Sequence, residues 1–265
     1  MTRKLNEKIK QYWEERASVS QDQSATTNDI WLRELEIKTI IETLLELKIL
    51  DTSNVLDIGC GDGYSTIKIA KRFPQSTFHG IDFSENMIKM ANSNLEKENN
   101  INLKVKFSVG SVLDLDKLVS SKVDVVISDR CLINLESLNQ QQEAIEKIVN
   151  VINNGYFIAI ENFVEGHENM NQARKKLNLP EIPIRWHNLF FNEADFISII
   201  KKHFKLISLK NFSSSYYFAT RIIYSKMCDN NKTEPDYNHE IHKLAIDLPS
   251  VGNFSPIRMA ILQKI

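Results

Sequence analysis

The chain reads as an α/β fold built on a doubly wound, mostly parallel sheet. Three observations predict this. Five short apolar runs lie between residues 55 and 160, and they alternate with stretches of helical spacing. Several runs are continuous, as in Val125-Val126-Ile127, which is how strands read when crossover helices bury both faces. The first run ends in an acid and three closely spaced glycines, Val55-Leu56-Asp57-Ile58-Gly59-Cys60-Gly61-Asp62-Gly63, just before a helix-like stretch near Tyr64.

The elements follow in order. Apolar positions from Ile30 to Leu47 keep helical spacing and predict a helix within 28–49, punctuated by Asp51-Thr52-Ser53-Asn54. Val55–Ile58 is the first strand, and 64–73 a helix stopped by Pro74. Phe78–Ile81 is the second strand, and Ser84 caps a helix to about Leu95. Leu103–Val109 and Val123–Ile127 are the third and fourth strands. A helix over 137–151 ends at Asn153-Asn154-Gly155, and Tyr156–Ile160 is the fifth strand. Beyond residue 161 the alternation loosens. A short helix over 169–178 precedes Pro180, an extended passage runs to His187, and a helix over 192–203 leads to a strand at Phe204–Leu209. Two helices around a polar turn at Asp229–Pro235 are expected within 216–247, then a closing strand at Ile257–Leu262.

Composition narrows the function. The 265 residues suffice for one large domain with insertions. A net charge of −1 offers no basic face to a nucleic-acid backbone, so no nucleic-acid partner is expected. No apolar run approaches the roughly 18–20 residues that span a bilayer, and the polar N-terminus is unlike a signal peptide, so no membrane partner is expected. The three scattered cysteines show neither a disulfide framework nor zinc spacing, which fits a reducing cytoplasm, and no metal site is expected.

In open parallel sheets the ligand sits beyond the carboxyl ends of the strands, at the point where strand order reverses. That rule collects Asp57 and the glycines, then Asp82, nineteen residues after Gly63, where an acid accepts hydrogen bonds from ribose hydroxyls. Phe83 follows to pack on a purine. Ser111-Val112 comes after the third strand, and Ser128-Asp129-Arg130 after the fourth. The third glycine stands one place too early for the dinucleotide fingerprint, with Tyr64 in its place, and no P-loop occurs.

Asp57-x-Gly-x-Gly-x-Gly together with Gly80-Ile81-Asp82 resembles the class I S-adenosylmethionine-dependent methyltransferase family, in its small-molecule subgroup, over roughly residues 50–163. The resemblance implies a three-layer Rossmann-like doubly wound sheet, mostly parallel with an antiparallel C-terminal strand, plus helical cap insertions. It implies a single methyltransferase domain over 1–265. This comprises an N-terminal lid and helix (1–49), a cofactor-binding half (50–163) and acceptor-side caps (164–190 and 213–255). It implies S-adenosyl-L-methionine as cofactor and S-adenosyl-L-homocysteine as product. Gly59 and Gly61 would floor the methionine moiety beside Asp57 and Asp129, and Asp82 would bind the ribose. Phe83 and Met87 would flank the adenine, and Ser111-Val112 would meet its polar edge. Many relatives carry an acid where Ser111 stands, which leaves Asp114 as an alternative. Tyr12-Trp13-Glu14-Glu15-Arg16-Ala17 resembles the family's lid, with Tyr12 and Arg33 as candidates for the cofactor carboxylate.

A hydroxyl acceptor needs its proton removed, whereas a carboxylate or phosphate acceptor needs Arg or Lys to hold it. Pro183-Ile184-Arg185-Trp186-His187-Asn188 is a dense polar and aromatic cluster in an irregular stretch. His187 is the first candidate base and His167 the second, each with a structural role as the alternative. Arg130, Glu161, Arg185, Tyr216 and Tyr217 are candidate acceptor contacts. The expected activity is methyl transfer to an oxygen of a polar small molecule. That molecule would be a sugar, sugar nucleotide or phosphorylated metabolite, with a loose similarity to surface-polysaccharide enzymes. Nitrogen acceptors (an amino sugar or phosphoramidate-like group) and a non-catalytic cofactor sensor remain alternatives. The assembly would be a monomer or homodimer.

Overall fold

A computed structural model describes residues 2–19, 25–49, 52–98 and 102–265. Residues 20–24 of the expected lid and Asp51 of the expected turn lie outside the described residues. The elements that build the sheet are β1 (Asn54–Ile58), β2 (Thr77–Asp82), β3 (Lys104–Val109), β4 (Val123–Asp129), β5 (Ile152–Asn162), β6 (Phe204–Lys210) and β7 (Ile257–Lys264). They form a seven-stranded sheet in the order β3-β2-β1-β4-β5-β7-β6. The first five strands pair in parallel, and β7 runs antiparallel between β5 and β6. This is the Rossmann-like arrangement expected, with its antiparallel C-terminal strand.

Alternation along the central strands divides the core between two faces. Leu56, Val126, Phe157 and Ala260 enter one apolar cluster. Their neighbours Val55, Val125, Ile158 and Ile261 enter the other. Both faces are dry, which is why these strands read as unbroken apolar runs. The order reverses between β1 and β4, so the crevice at their carboxyl ends is where a ligand belongs.

The helices nearest that crevice are α1 (Thr2–Val19), α2 (Ile30–Glu46), α3 (Tyr64–Arg72) and α4 (Glu85–Glu96). Asp29 caps α2 by accepting from the Leu32 amide, and Ser84 caps α4 by accepting from the Met87 amide. Such caps are worth about 1 kcal/mol each and fix where the helices begin. The remaining helices are α5 (Leu115–Leu118), α6 (Leu138–Val151), α7 (Val164–Lys176) and α8 (Glu193–Ile200). They are followed by α9 (Ser214–Tyr217), α10 (Tyr224–Asn231) and α11 (Glu240–Ala245).

Three expectations change. Asn153-Asn154-Gly155, read as the break after a helix, is the opening of β5. The register against β4 jumps there from Val123↔Ile152 to Val125↔Tyr156. The helix expected over 169–178 begins at Val164, five residues earlier, with the small Gly166 against the Ser255 carbonyl. The two helices expected within 216–247 are four pieces, because a π-helical segment at Phe218–Ile223 joins α9 to α10. Such π turns accompany functional sites.

A Cβ on Gly155 would stand 1.9 Å from the carbonyl oxygen of Asp124. Gly155→Ala is therefore expected to lower unfolding free energy by about 1–3 kcal/mol, the usual cost of overpacking. Urea denaturation checks this, and an unchanged midpoint would contradict the packing at this bulge.

Candidate active site

The loops at the carboxyl ends of β1, β2, β4 and β5 enclose a cavity of about 270 Å³, roofed by the segment before α2, the loop 182–190 and the π segment. That volume lies near the lower end of the range for small-molecule sites. Gly59 and Gly61 form its floor with φ of 73° and 53°. A Cβ on Gly61 would meet Thr26 Cγ2 at 2.6 Å, and one on Gly59 would meet Cys131 Sγ at 2.7 Å. Only glycine permits both the left-handed turn and the close approach.

Asp82 ends β2 at the edge of this floor. Its Oδ2 accepts from the Gly61 amide at 3.0 Å and its Oδ1 from the Ser84 amide at 2.9 Å. Burial pushes its pKa up to about 6 against the opposing pull of the two amides. Each carboxylate oxygen has a second lone pair, so the group retains acceptor capacity for ribose hydroxyls. Phe83 and Met87 continue the wall from Asp82, supplying apolar surface for a purine.

Other candidates for the cofactor sit behind the wall. Asp57 accepts from Thr66 Oγ1 beneath the turn and does not line the cavity; burial holds it near pKa 7. Arg33 grips Asp62 with both terminal nitrogens and lies over the Tyr64 ring at 4.6 Å, away from the cavity wall. It fixes the glycine turn to α2 instead. Ser111 caps the 3-10 turn at Val112–Asp114, while Val112 packs in the core, so neither lines the cavity. Tyr12 stacks on His187 at 4.5 Å from outside the wall.

Asp129 and Arg130 do line the cavity. Arg130 adopts φ 53°, unusual for a side-chain-bearing residue, and its amide donates to the Ile160 carbonyl at 2.7 Å. Its guanidinium donates to Glu36 Oε2 at 2.9 Å and lies 3.5 Å from Asp129 Oδ1. Burial raises the pKa of Glu36 to about 8 despite Arg130. Asp129 Oδ1, whose nearest cation is Arg130 Nε at 3.5 Å, and Asn162 Oδ1 are both buried atoms with no hydrogen-bond partner among the described residues.

Two candidate acceptor contacts are corrected. Glu161 is fully buried and accepts from Ser128 Oγ and from the amides of Leu132 and Ile133, which consumes it in shaping the loop after β4. Burial raises its pKa to about 7. Tyr216 is buried behind the wall, donating to Asp29 Oδ1 at 2.6 Å and touching His242 Nδ1 at 2.8 Å. Tyr217, its neighbour, does reach the cavity, and burial pushes its pKa up to about 12.

His167, Arg185 and His187 all line the same cavity. His187 is 4% exposed, and its Nδ1 lacks any hydrogen-bond partner. Burial, then the charges of Arg185 and Arg16, lower its pKa to about 4, so the ring is unprotonated at neutral pH. Burial also lowers His167, which shares Nε2 with Asn171 Nδ2 at 3.2 Å. Two charged wall residues escaped sequence reasoning, Asp29 and Arg221. Arg221 carries the one usable signal, a charge inside the apolar run Phe218–Ile223. It donates to Asp29 Oδ2 and lies over the ring of Tyr217 at 5.3 Å. Among the described residues no group of three or more His, Cys, Asp or Glu side chains is placed to hold a metal ion.

A glycine-floored crevice with a buried acid, Asp82, at its edge, at the switch point of a Rossmann-like sheet, is the arrangement of a nucleoside-cofactor fold. The family model described as a methyltransferase domain matches residues 49–206. The chain belongs to that family, the class I S-adenosylmethionine-dependent methyltransferases. Malonyl-[acyl-carrier protein] O-methyltransferase of Halalkalibacterium halodurans is 29% identical over 132 residues, covering 47% of this chain and 46% of the relative. Human EEF1A lysine methyltransferase 2 is 38% identical over 80 residues, 30% of this chain and 34% of the relative. The chain thus spans about half the length, or less, of these curated relatives. Among solved structures, magnesium protoporphyrin IX methyltransferase from Synechocystis PCC 6803, with bound S-adenosylhomocysteine, superposes with a TM-score of 0.62. Identity there is 15%, with 100% of this chain and 98% of that one covered. These structural likenesses carry the fold.

Buried acids give the ligand-free protein a characteristic pH response. Glu36, Asp57 and Glu161 have folded-state pKa values near 8, 7 and 7, above the ordinary carboxylate range. The folded chain therefore retains protons that the unfolded chain has released. That contribution is complete below about pH 4 and is lost as pH rises through 7 to 8. His79 and His187, lowered to about 4, act in the opposite sense, but only below about pH 6.5. Between pH 6.5 and 8, stability should fall by on the order of 1 kcal/mol per pH unit, with a shallower slope in Glu36→Gln. Urea titrations across that window decide; stability rising with pH would refute the burial of these acids as charged-state penalties.

Proposed function

We propose that the protein transfers a methyl group from S-adenosylmethionine to an oxygen of a polar small molecule held beneath the cap. One observation carries this reading: Gly59, Gly61, Asp82, Phe83 and Met87 line the same continuous cavity as His167, Arg185 and His187. A cofactor on the floor and an acceptor under the cap would share one enclosed space.

The cofactor brings a methyl group already activated on a sulfonium, so the protein's work is alignment and exclusion of water. Asp82 would accept from the ribose hydroxyls, and the backbone at Gly59 and Gly61 would lie against the methionine portion. Phe83 and Met87 would enclose the adenine. On the acceptor side His187 is an unprotonated side chain able to take a hydrogen bond from a hydroxyl, and the rings of Tyr12 and Trp13 pack against it and keep water from that face. The malonyl-[acyl-carrier protein] O-methyltransferase relatives support oxygen as the receiving atom. A sugar, sugar nucleotide or phosphorylated metabolite matches a wall that mixes guanidinium, amide and aromatic groups. A nitrogen acceptor is the second reading, favoured by the low pKa of His187, because an amine's own lone pair needs no base.

Isothermal calorimetry with S-adenosylhomocysteine tests the cofactor half. The wild type should bind, and Asp82→Ala should bind about 10–100-fold more weakly, the worth of charge-assisted hydrogen bonds to the ribose. Binding of NAD with no response to S-adenosylhomocysteine would overturn the reading.

A further inference from the structure

Many polar groups in the cavity wall are already spent. Asp29 receives Arg221, Asp129 faces Arg130, and Asp82 receives two backbone amides. Asn134 is used at both ends, donating to the Arg130 carbonyl at 2.7 Å and accepting from Trp13 Nε1. Asn162 and Tyr217 line the same cavity and differ. Asn162 is 7% exposed, yet its carboxamide makes no hydrogen bond among the described residues. Its Oδ1 is enclosed whereas Nδ2 is not, so the amino end is the one that opens on the cavity. The Tyr217 hydroxyl likewise has no hydrogen-bond partner among the described residues, and it is not enclosed.

The fold holds both residues by their other atoms. The Asn162 carbonyl accepts from the Phe191 amide at 2.9 Å, and Asn162 pairs with Ile257 where β5 meets β7. The Ile257 carbonyl receives the Ser213 hydroxyl at 2.9 Å, and one turn on the Tyr217 amide donates to the Ser213 carbonyl. Ile257, itself in the wall, thus links the two. Arg221 lies over the Tyr217 ring at 5.3 Å and over the Tyr237 ring at 4.9 Å while it grips Asp29. The phenol is therefore held by its face, and its hydroxyl is left over. Burial pushes the Tyr217 pKa up to about 12, so that hydroxyl stays neutral. Polar groups this deep are nearly always paired, and these two are left for a ligand.

We propose that Asn162 and Tyr217 orient the acceptor by hydrogen-bonding to an uncharged, hydroxyl-bearing part of it, such as a sugar ring. The proposal rests on the methyltransferase reading of this cavity and adds which wall residues choose the acceptor, and by what chemistry. The Asn162 amino group donates, and the Tyr217 hydroxyl both donates and accepts, a set that adjacent alcohol groups complement. Arg130 and Arg221, whose charges act on Tyr217, each face an acid, so neither is left over to hold an anion. A site that hydrogen-bonds a hydroxyl rejects analogues lacking it, because its own groups are then left unpaired.

The test uses the protein saturated with S-adenosylhomocysteine and follows the methyl α-pyranosides of glucose, galactose and mannose by saturation-transfer NMR. Sodium succinate serves as an anion without hydroxyls. At least one glycoside should bind with a Kd of about 10 mM or tighter, and succinate should not. Tyr217→Phe and Asn162→Ala should each weaken that glycoside about three- to tenfold, the worth of a neutral hydrogen bond. Both variants should keep the wild-type affinity for S-adenosylhomocysteine, which reports an intact floor. Failure of every glycoside to bind, undiminished binding in both variants, or succinate binding more tightly than any glycoside would overturn the pair. Failure of S-adenosylhomocysteine to bind the wild type would instead strike the cofactor reading, and the glycoside titration of the ligand-free protein still judges the pair on its own.

Discussion

The hydrogen bond from the Gly61 amide to Asp82 holds the site in shape. It ties the turn after β1 to the last residue of β2, beside the pairing of Ile58 with Ile81 and the two amides of Gly59 and Cys60 that converge on the Ile81 carbonyl. The same carboxylate receives the Ser84 amide, and the Ser84 hydroxyl in turn caps α4 at Met87. One buried acid therefore ties the glycine floor to the apolar wall that starts α4. Its desolvation is opposed by two oriented amides, which is why the group can stay beside the cavity as an acceptor.

Three contacts between an arginine and a buried acid extend that order outward, through α2 and its cap. Arg33 holds Asp62 in the glycine turn, Glu36 receives Arg130 from the end of β4, and the capping Asp29 receives Arg221 from the π segment. Removing one partner of a buried pair leaves an uncompensated charge, at a cost of about 3–5 kcal/mol. The caps are thus bound to the sheet through specific pairs as well as apolar contact. The π segment is what turns Arg221 toward Asp29 while Phe218 and Ile223 stay at the surface.

The cofactor half was legible because its constraints are local. Val125-Val126-Ile127 reads as a strand buried on both faces, and the glycines are demanded by left-handed φ and close approach at fixed offsets. The acceptor half was less legible because its constraints are long-range. Glu161 and Asn162 are adjacent at the end of β5, yet alternation sends the first to the amides of 132–133 and the second to the cavity. Tyr216 and Tyr217 divide in the same manner on a helix. Arg33 looks free in sequence, and only the fold brings it to Asp62, twenty-nine residues away. Nothing local marks Gly155 as part of a bulge, since a glycine after two asparagines is also how helices end.

Helix α1 touches both ends of the cavity. Glu14 of α1 accepts from the amides of Glu85 and Asn86, covering the unpaired N–H groups at the start of α4 on the cofactor side. The same turn of that helix also carries Tyr12 and Trp13, whose rings pack on His187, and Trp13 Nε1 donates to Asn134 Oδ1 at 3.3 Å. Arg16 then joins α1 to the segment that ends in the α2 cap. A helix held by one carboxylate at one end of the cavity and by stacked rings at the other cannot lift from either without uncovering both. The sheet edge beneath is fixed separately, by Asp82 and the buried arginine–acid contacts.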